Sequence, residues 1–313
     1  MTNSSSVAVI DIGSNSIKVL VAARDDSGRL SALKLRTIDA RISAGISDAA
    51  PRLSEAGMAR GLDAVRALLA DTAEFSPAHI VLVATSAVRD AANGPEFRER
   101  VHAATGHTVR LLSGEEEANL IGRGLTCDSA LAGLRDFYVF DLGGGSLECL
   151  AFRDRRIVQA ASLQLGCVRL MEKFVADPQQ PAAPSLVTDI ARHVREVFAR
   201  SGFTFSLSPG ATAIGTGGTL TTVRTILAAK SRRTLDESDP VITVAQLAEM
   251  LAWLGALPLQ ERKQIAGLPP ARADVFPTAL ATMLAVAGLG RVSAFRNSLY
   301  NLRWGLAAEA LDQ

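Results

Sequence analysis

Short apolar runs bounded by turn residues recur along the chain, and between them lie longer stretches with apolar residues at helical spacing. Val7–Ile12 and Ile17–Ala23 predict two strands joined at a Gly-Ser-Asn-Ser turn. Leu53–Leu69 carries Leu62, Val65 and Leu69 three and four positions apart, which predicts a helix. A strand at His79–Ala84, a helix closed by Gly106 and a strand at Thr108–Leu112 then make a βαβ unit, which implies parallel pairing. The scheme recurs with strands at Tyr138–Leu142, Glu148–Phe152 and Gln159–Leu165, and a helix over Leu186–Phe198 ended by Gly202. Further strands are expected at Thr212–Gly215 and Val292–Phe295, and helices in Leu220–Ala228, Val244–Leu254 and Arg272–Ala287. The segments 177–184 and 231–240 read as surface loops. A duplicated layout of this kind predicts an α/β protein of two similar lobes, with ligand in an interdomain cleft that closes around it.

The duplication is visible residue by residue. VAVIDIGSNSIKVLVA at 7–22 overlays FYVFDLGGGSLECLAF at 137–152, placing Asp11 on Asp141, Gly13 on Gly143, Ser16 on Ser146 and Lys18 on Glu148. Gly13, and Gly143, Gly144 and Gly145 in the second copy, let a backbone approach a ligand and turn successive N–H groups towards phosphate oxygens. Ser14, Asn15, Ser16 and Ser146 add side-chain donors. A strand-end carboxylate beside such a turn is a common turn cap when it occurs once. Repeated in register, Asp11 and Asp141 point to a divalent cation between acid and phosphate, magnesium or manganese in its place. Lys18 and Glu148 share one repeat position, reading as a phosphate contact and a metal-side acid respectively, with a plain ion pair between them as the alternative.

Composition narrows the class of function. The chain has 313 residues, enough for two cores, with a formal net charge of +1 and 5% aromatics. No basic run is present, which argues against a nucleic-acid surface while leaving room for a small anionic substrate. Cys127, Cys149 and Cys167 are widely spaced and fit a reducing cytoplasm as buried apolar residues. His79, His102, His107 and His193 share no metal-ligand spacing. The start, MTNSSS, has no charged n-region, so no secretory signal is expected, and the longest apolar stretch, Thr278–Gly290, is too short to span a bilayer.

DIGSNS at 11–16, ATSAVRDAANG at 84–94, SGEEEANLI at 113–121, DLGGGS at 141–146 and GTGGT at 215–219 follow in order. Together they resemble the exopolyphosphatase / guanosine pentaphosphate phosphohydrolase family of the actin-like, sugar-kinase-like superfamily, from Val7 to about Arg303. The resemblance implies two ribonuclease-H-like lobes, divided here as 1–124 and 125–297, with a helix from about Ser298 to the end folding back on the first lobe. It implies removal of a terminal phosphate from polyphosphate or pppGpp, a cytoplasmic homodimer, and Glu117 as the catalytic glutamate. One segment departs from the family: Ser298-Leu299-Tyr300-Asn301-Leu302-Arg303-Trp304-Gly305 lacks the usual glycine and acidic residues, which bears on substrate preference.

The residues around Glu117 support that role independently. Ser113 and Glu116 have capping-box spacing, so a helix starts there, and Glu115 and Glu116 fit as first-turn acids offsetting the helix dipole. Glu117 instead shares its face with Leu120 and Ile121, where a carboxylate needs a partner or a task, such as that of a general base. Arg89, at the C-terminal end of a parallel strand, is expected to clamp a phosphate, with a salt bridge to Asp90 as the alternative. Gly217, Gly218 and Thr219 open a helix and add another phosphate turn, one that sugar kinases resemble too. Arg272 and Arg303 match later basic positions of the family loosely.

The expected activity is therefore a magnesium-dependent phosphoanhydride hydrolase acting on polyphosphate, with pppGpp as the alternative substrate. An actin-like kinase and a non-catalytic nucleotide-binding scaffold are the rivals. The last residue, Gln313, lies ten positions past Arg303. With little net charge to retain a long polyanion, short polyphosphate chains and distributive cutting are expected.

Overall fold

The computed structural model describes residues 6–44, 46, 50–208 and 210–312, which fold as two compact units. The first comprises Met1–Gly133 with Tyr300–Gln313, the second Leu134–Leu299. The dividing points differ from the expected 124 and 297, because the helix carrying Glu117 and the short turn after it stay with the first unit. Ser298 meanwhile donates its backbone N–H to Gly215 O in the second.

In the first unit the chain runs β1 (Ser6–Ile12), β2 (Ile17–Arg24), β3 (Leu30–Ile38), α1 (Glu55–Thr72), β4 (His79–Ala84), α2 (Ser86–Asp90), α3 (Gly94–Thr105), β5 (Val109–Leu111) and α4 (Gly114–Thr126). The sheet order is β3-β2-β1-β4-β5, with β1 antiparallel to β2 and parallel to β4. The central strand β1 is buried from Ser6 to Ile10, which explains its continuous apolar run. β3 was not legible as a strand. It lies at the sheet's edge with most of its residues partly or fully exposed, so LSALKLRTI shows no clean alternation.

The second unit contains β6 (Phe137–Leu142), β7 (Leu147–Arg153), β8 (Arg156–Leu163), α5 (Cys167–Phe174), α6 (Leu186–Ser201), β9 (Thr212–Thr216), α7 (Gly217–Lys230), β10 (Val241–Thr243), α8 (Val244–Gly255), α9 (Leu259–Arg262), α10 (Phe276–Gly290) and β11 (Ala294–Asn297). Its sheet order, β8-β7-β6-β9-β11-β10, reproduces that of the first unit with β10 added at the edge. The repetition extends to an irregularity. The pairing of β2 with β3 shifts register between Val21 and Ala22, and that of β7 with β8 between Ala151 and Phe152, the same places in the sequence repeat. Two sheets built on this plan, with helices, form a two-lobed actin-like, ribonuclease-H-like fold. No helix among the described residues is long and apolar enough to cross a membrane.

The chain then returns to the first unit as α11 (Leu302–Leu311). This helix begins four residues later than the expected start near Ser298, because Asn301 is its cap and accepts from the Arg303 N–H. α11 packs on α4 with almost no side-chain layer between them. A Cβ on Gly305 would lie 1.9 Å from Leu120 O, and one on Gly124 would lie 2.1 Å from Asn301 O. Both contacts are to backbone, which cannot rotate away as a side chain could. Gly305→Ala is therefore expected to lower unfolding free energy by about 1–3 kcal/mol in urea titrations. Gly133→Ala, where the added methyl meets nothing within 4 Å, should stay within about 0.5 kcal/mol of wild type. Equal midpoints for the two variants would show that the helices do not meet this closely.

Candidate active site

In the first unit, the β1–β2 hairpin places Asp11 directly opposite Lys18. Residues opposite each other on antiparallel strands point to the same face, so the acid and the ammonium are neighbours. Burial raises the Asp11 carboxyl above its ordinary range, while the charges of Lys18 and Arg303 pull it back. Arg303 reaches this region from α11 and donates to Val19 O at 3.1 Å. Of the turn residues, Ser14 and Asn15 are buried. A segment without a motif of its own, at Arg41 and Ser43, holds them. Arg41 N donates to Asn15 O at 2.9 Å, Arg41 Nε to Asn15 Oδ1 at 3.1 Å, and Ser43 N to Ser14 O at 3.2 Å. The two oxygens of Asn15 thus act as a latch on this loop, while its side-chain Nδ2 is buried with no hydrogen-bond partner among the described residues.

Glu117 stands in the first turn of α4. The capping box forms as its spacing predicts: Ser113 Oγ accepts from Glu116 N at 3.1 Å, and Ser113 N donates to Glu116 Oε2 at 2.8 Å. Glu117 is only 6% exposed. Its Oε2 accepts from Arg89 Nη1 at 3.0 Å, and the same nitrogen donates to Leu112 O at 2.9 Å. The alternative partner, Asp90, lies 3.8 Å from Arg89 Nε, so the stronger pairing is with Glu117. Arg89 is therefore placed beside the candidate base, where it compensates a buried carboxylate.

In the second unit, Asp141 lies opposite Glu148 on β6 and β7. Glu148 is buried and accepts from Ser162 Oγ at 2.8 Å. Asp141 rests on the GTGGT turn, where a Cβ on Gly217 would come within 1.9 Å of its Oδ1. Gly217 also has φ +74°, so a larger residue is disfavoured there twice over. Thr219 is fully buried and donates to Leu142 O at 3.0 Å, tying the start of α7 to the end of β6. Arg272 covers this helix start. Its Nη1 donates to Thr222 Oγ1 at 3.2 Å and its Nη2 to Thr219 Oγ1 at 3.4 Å, beside Gly218. A guanidinium next to the positive end of a helix is an arrangement that an anion would stabilise.

The Gly143–Ser146 turn is oriented by a segment that its own sequence does not announce. Cys167 N donates to Gly143 O at 2.9 Å, Val168 N to Gly144 O at 2.9 Å, and Arg169 Nε to Gly145 O at 3.1 Å. The start of α5 thus absorbs three of the turn's carbonyls, and Gly143 N donates to the fourth, Ser146 O, at 3.0 Å. Gly143 therefore closes the turn instead of offering its amide, and the N–H groups of Gly144, Gly145 and Ser146 are left to face an anion. The signal was Gly166 just before α5: a Cβ there would fall 2.2 Å from Gly145 C.

Hard oxygen donors for a cation are present as the Asp141–Glu148 pair. Among the described residues no group of three or more His, Cys, Asp or Glu side chains is poised to hold a metal. That donor set suits magnesium, which keeps most of its waters and takes one or two carboxylates together with phosphate oxygens.

Residues 6–313 match the model of the Ppx/GppA phosphatase family. The chain is 31% identical over 317 aligned positions to a protein of Vibrio vulnificus (strain YJ016) named guanosine-5'-triphosphate,3'-diphosphate pyrophosphatase, covering 99% of this chain and 60% of that protein. It is 30% identical to a protein of the same name from Aeromonas salmonicida (strain A449), covering 91% of this chain and 55% of the other. The chain thus spans less than two thirds of the length of these relatives. Among solved structures, the Ppx/GppA family member of Aquifex aeolicus superposes with TM-score 0.76 at 26% identity over 98% of each chain. An exopolyphosphatase from Cytophaga hutchinsonii shares the fold, with TM-score 0.86 at 23% identity over 98% of each chain.

The Arg89–Glu117 pair can be tested for its energetic weight. Arg89→Ala should destabilise the protein by roughly 1–3 kcal/mol, less than a fully buried pair because Arg89 keeps some solvent contact. Adding Glu117→Gln to that variant should recover part of the loss, since the stranded charge goes with it. Additive losses in a double-mutant cycle would mean that the two side chains do not depend on each other.

Proposed function

Since the chain belongs to the Ppx/GppA phosphatase family, we propose that it hydrolyses the terminal 5'-phosphoanhydride of guanosine pentaphosphate (pppGpp), releasing orthophosphate and leaving ppGpp. The observation that carries the reading is Glu117, a buried carboxylate held by Arg89 at the start of a capped helix. The motifs alone ranked polyphosphate first. The names of the relatives from Vibrio and Aeromonas, at 31% and 30% identity, move the weight to the guanosine substrate.

In this proposal Glu117 orients the attacking water and takes its proton as the water oxygen bonds to phosphorus. Arg89 fixes the direction of that carboxylate and offers its remaining N–H groups to charge developing on the phosphoryl oxygens. The amides of Gly144, Gly145 and Ser146, the start of α7 at Gly217–Thr219, and Arg272 hold phosphate groups, while Gly143 closes the turn through its own N–H to Ser146 O. Gly13, Ser14 and Ser16 with Lys18 are assigned the same task in the first unit, and Asn15 supports their turn. Asp141 and Glu148 would hold magnesium, or manganese, which when bound neutralises charge on the phosphate oxygens. Asp11, with Lys18 opposite and Arg303 near, is the less suited of the three acids for that ion.

Phosphate release from pppGpp, from polyphosphate, and from ATP with a hexose tests the reading. The expected ranking puts pppGpp first by kcat/KM, and preferential release from polyphosphate would replace the substrate while keeping the chemistry. Glu117→Gln should lower kcat by roughly 10²- to 10⁴-fold, as loss of a general base does, with Glu115→Gln close to wild type. Similar rates for these two variants would remove Glu117 from its role. Asp141→Asn should abolish the dependence of the rate on added magnesium while leaving the thermal midpoint nearly unchanged. A magnesium dependence equal to wild type would return Asp141 to a turn cap.

A further inference from the structure

A cavity of about 620 Å³ opens at the other end of the second unit's sheet, within the size range of small-molecule sites. Its wall includes Tyr138 near the start of β6, Ala213 at the start of β9 and Ala294 at the start of β11. These strands are parallel, and Asp141 and Thr216 lie towards their opposite ends. The length of β9, roughly 13 Å at ~3.3 Å per residue, therefore separates the cavity from the glycine turns.

Two features distinguish it from a packing crevice. The first is an incomplete aromatic cluster. Phe205 has ring centroids of Phe198 and Phe203 at 5.7 Å and Tyr138 at 5.4 Å. Those three rings are buried, whereas Phe205 is only partly covered and lines the cavity. The second is charge. Arg291 and Arg296 line the cavity, and no acidic residue does. Among the described residues neither guanidinium has a hydrogen-bonded or ion-paired partner. Arg296 has another arginine near it instead: Arg224, itself committed to Ser238 and Leu235 O, is depressed in pKa chiefly by burial and further by Arg296. Asp236 and Asp239 oppose that shift at Arg224. Arg291 caps α10 with φ 51°, a conformation that glycine adopts more readily, and offsets the helix's negative end from the cavity rim.

We propose that this cavity is a second ligand site for an aromatic phosphomonoester of nucleoside-monophosphate size, its ring against Phe205 and its phosphate on Arg296 and Arg291. An aromatic face would take up the uncovered side of Phe205, and a phosphate would neutralise two arginines that nothing else pairs. The site is independent of the hydrolase reading, because none of its residues belongs to the glycine turns.

Titration calorimetry of the full chain without magnesium, using AMP, adenosine and inorganic phosphate, tests the proposal. AMP should bind with a dissociation constant near or below about 1 mM, and adenosine and phosphate each about tenfold more weakly or worse. Arg296→Gln should weaken AMP binding by about tenfold or more with an unchanged thermal midpoint, as expected for loss of a charged hydrogen-bond donor. Arg291→Gln, an exposed rim position, supplies the same readout where Arg296→Gln fails to fold. Absence of binding up to about 10 mM AMP, adenosine binding as well as AMP, or AMP affinity unaltered in the folded variants would each overturn the site.

Discussion

The second unit depends on backbone meeting backbone at the end of β6. Gly166 sits where any side chain would strike the carbonyl carbons of Gly144 and Gly145. Only this approach lets the first amides of α5 reach the carbonyls of Gly143 and Gly144. Once those acceptors are occupied and Gly143 N has closed on Ser146 O, the turn has one way to face, with its later amides outward. Gly217 repeats the constraint from the other side, because Asp141 fills the space that a Cβ would need. The donors this turn presents are thus main-chain groups, which cost no side-chain entropy to order.

Charge is distributed with equal economy in the first unit. Asp11, raised by burial, has Lys18 across the hairpin and Arg303 from α11. Glu117, buried at a helix start, has Arg89. A carboxylate withdrawn from water with no cation would be costly, and half-buried Asp11 and buried Glu117 each have a cation supplied by another element. α11 therefore matters beyond packing: its arginine acts on the electrostatics of β1, and the glycine contact with α4 sets how near it can come.

Much of this was legible in the sequence because the signals are local. The hairpins, the capping box of Ser113 and Glu116, and the apolar face that makes Glu117 unusual all lie within a few residues of one another. What escaped reading is what depends on distant partners. The sequence offers Arg89 only its neighbour Asp90 as a partner, whereas its closer partner stands 28 positions on. The loop at Arg41 and Ser43, and the start of α5, act on turns 26 and 24 residues away and carry no motif of their own. The edge strand β3 exposes polar residues on both faces, so no period marks it. Ser298 is a cap by residue type for α11, but its N–H is committed to Gly215 O and Asn301 takes the role.

The two copies of the strand-turn-strand device differ most where they matter chemically. Order, register and even the irregularity after the second strand are shared. At one paired position, however, Asp11 faces Lys18 while Asp141 faces Glu148. Opposite charges directly across a hairpin stabilise it, and like charges there are destabilising unless a cation is close. The first copy thus balances itself and can serve as a fixed frame. The second concentrates negative charge beside a nest of amides that attracts negative charge as well. A cation would relieve that crowding in the second copy and has no such task in the first, so the exchange of lysine for glutamate at one repeat position is what separates the two turns electrostatically.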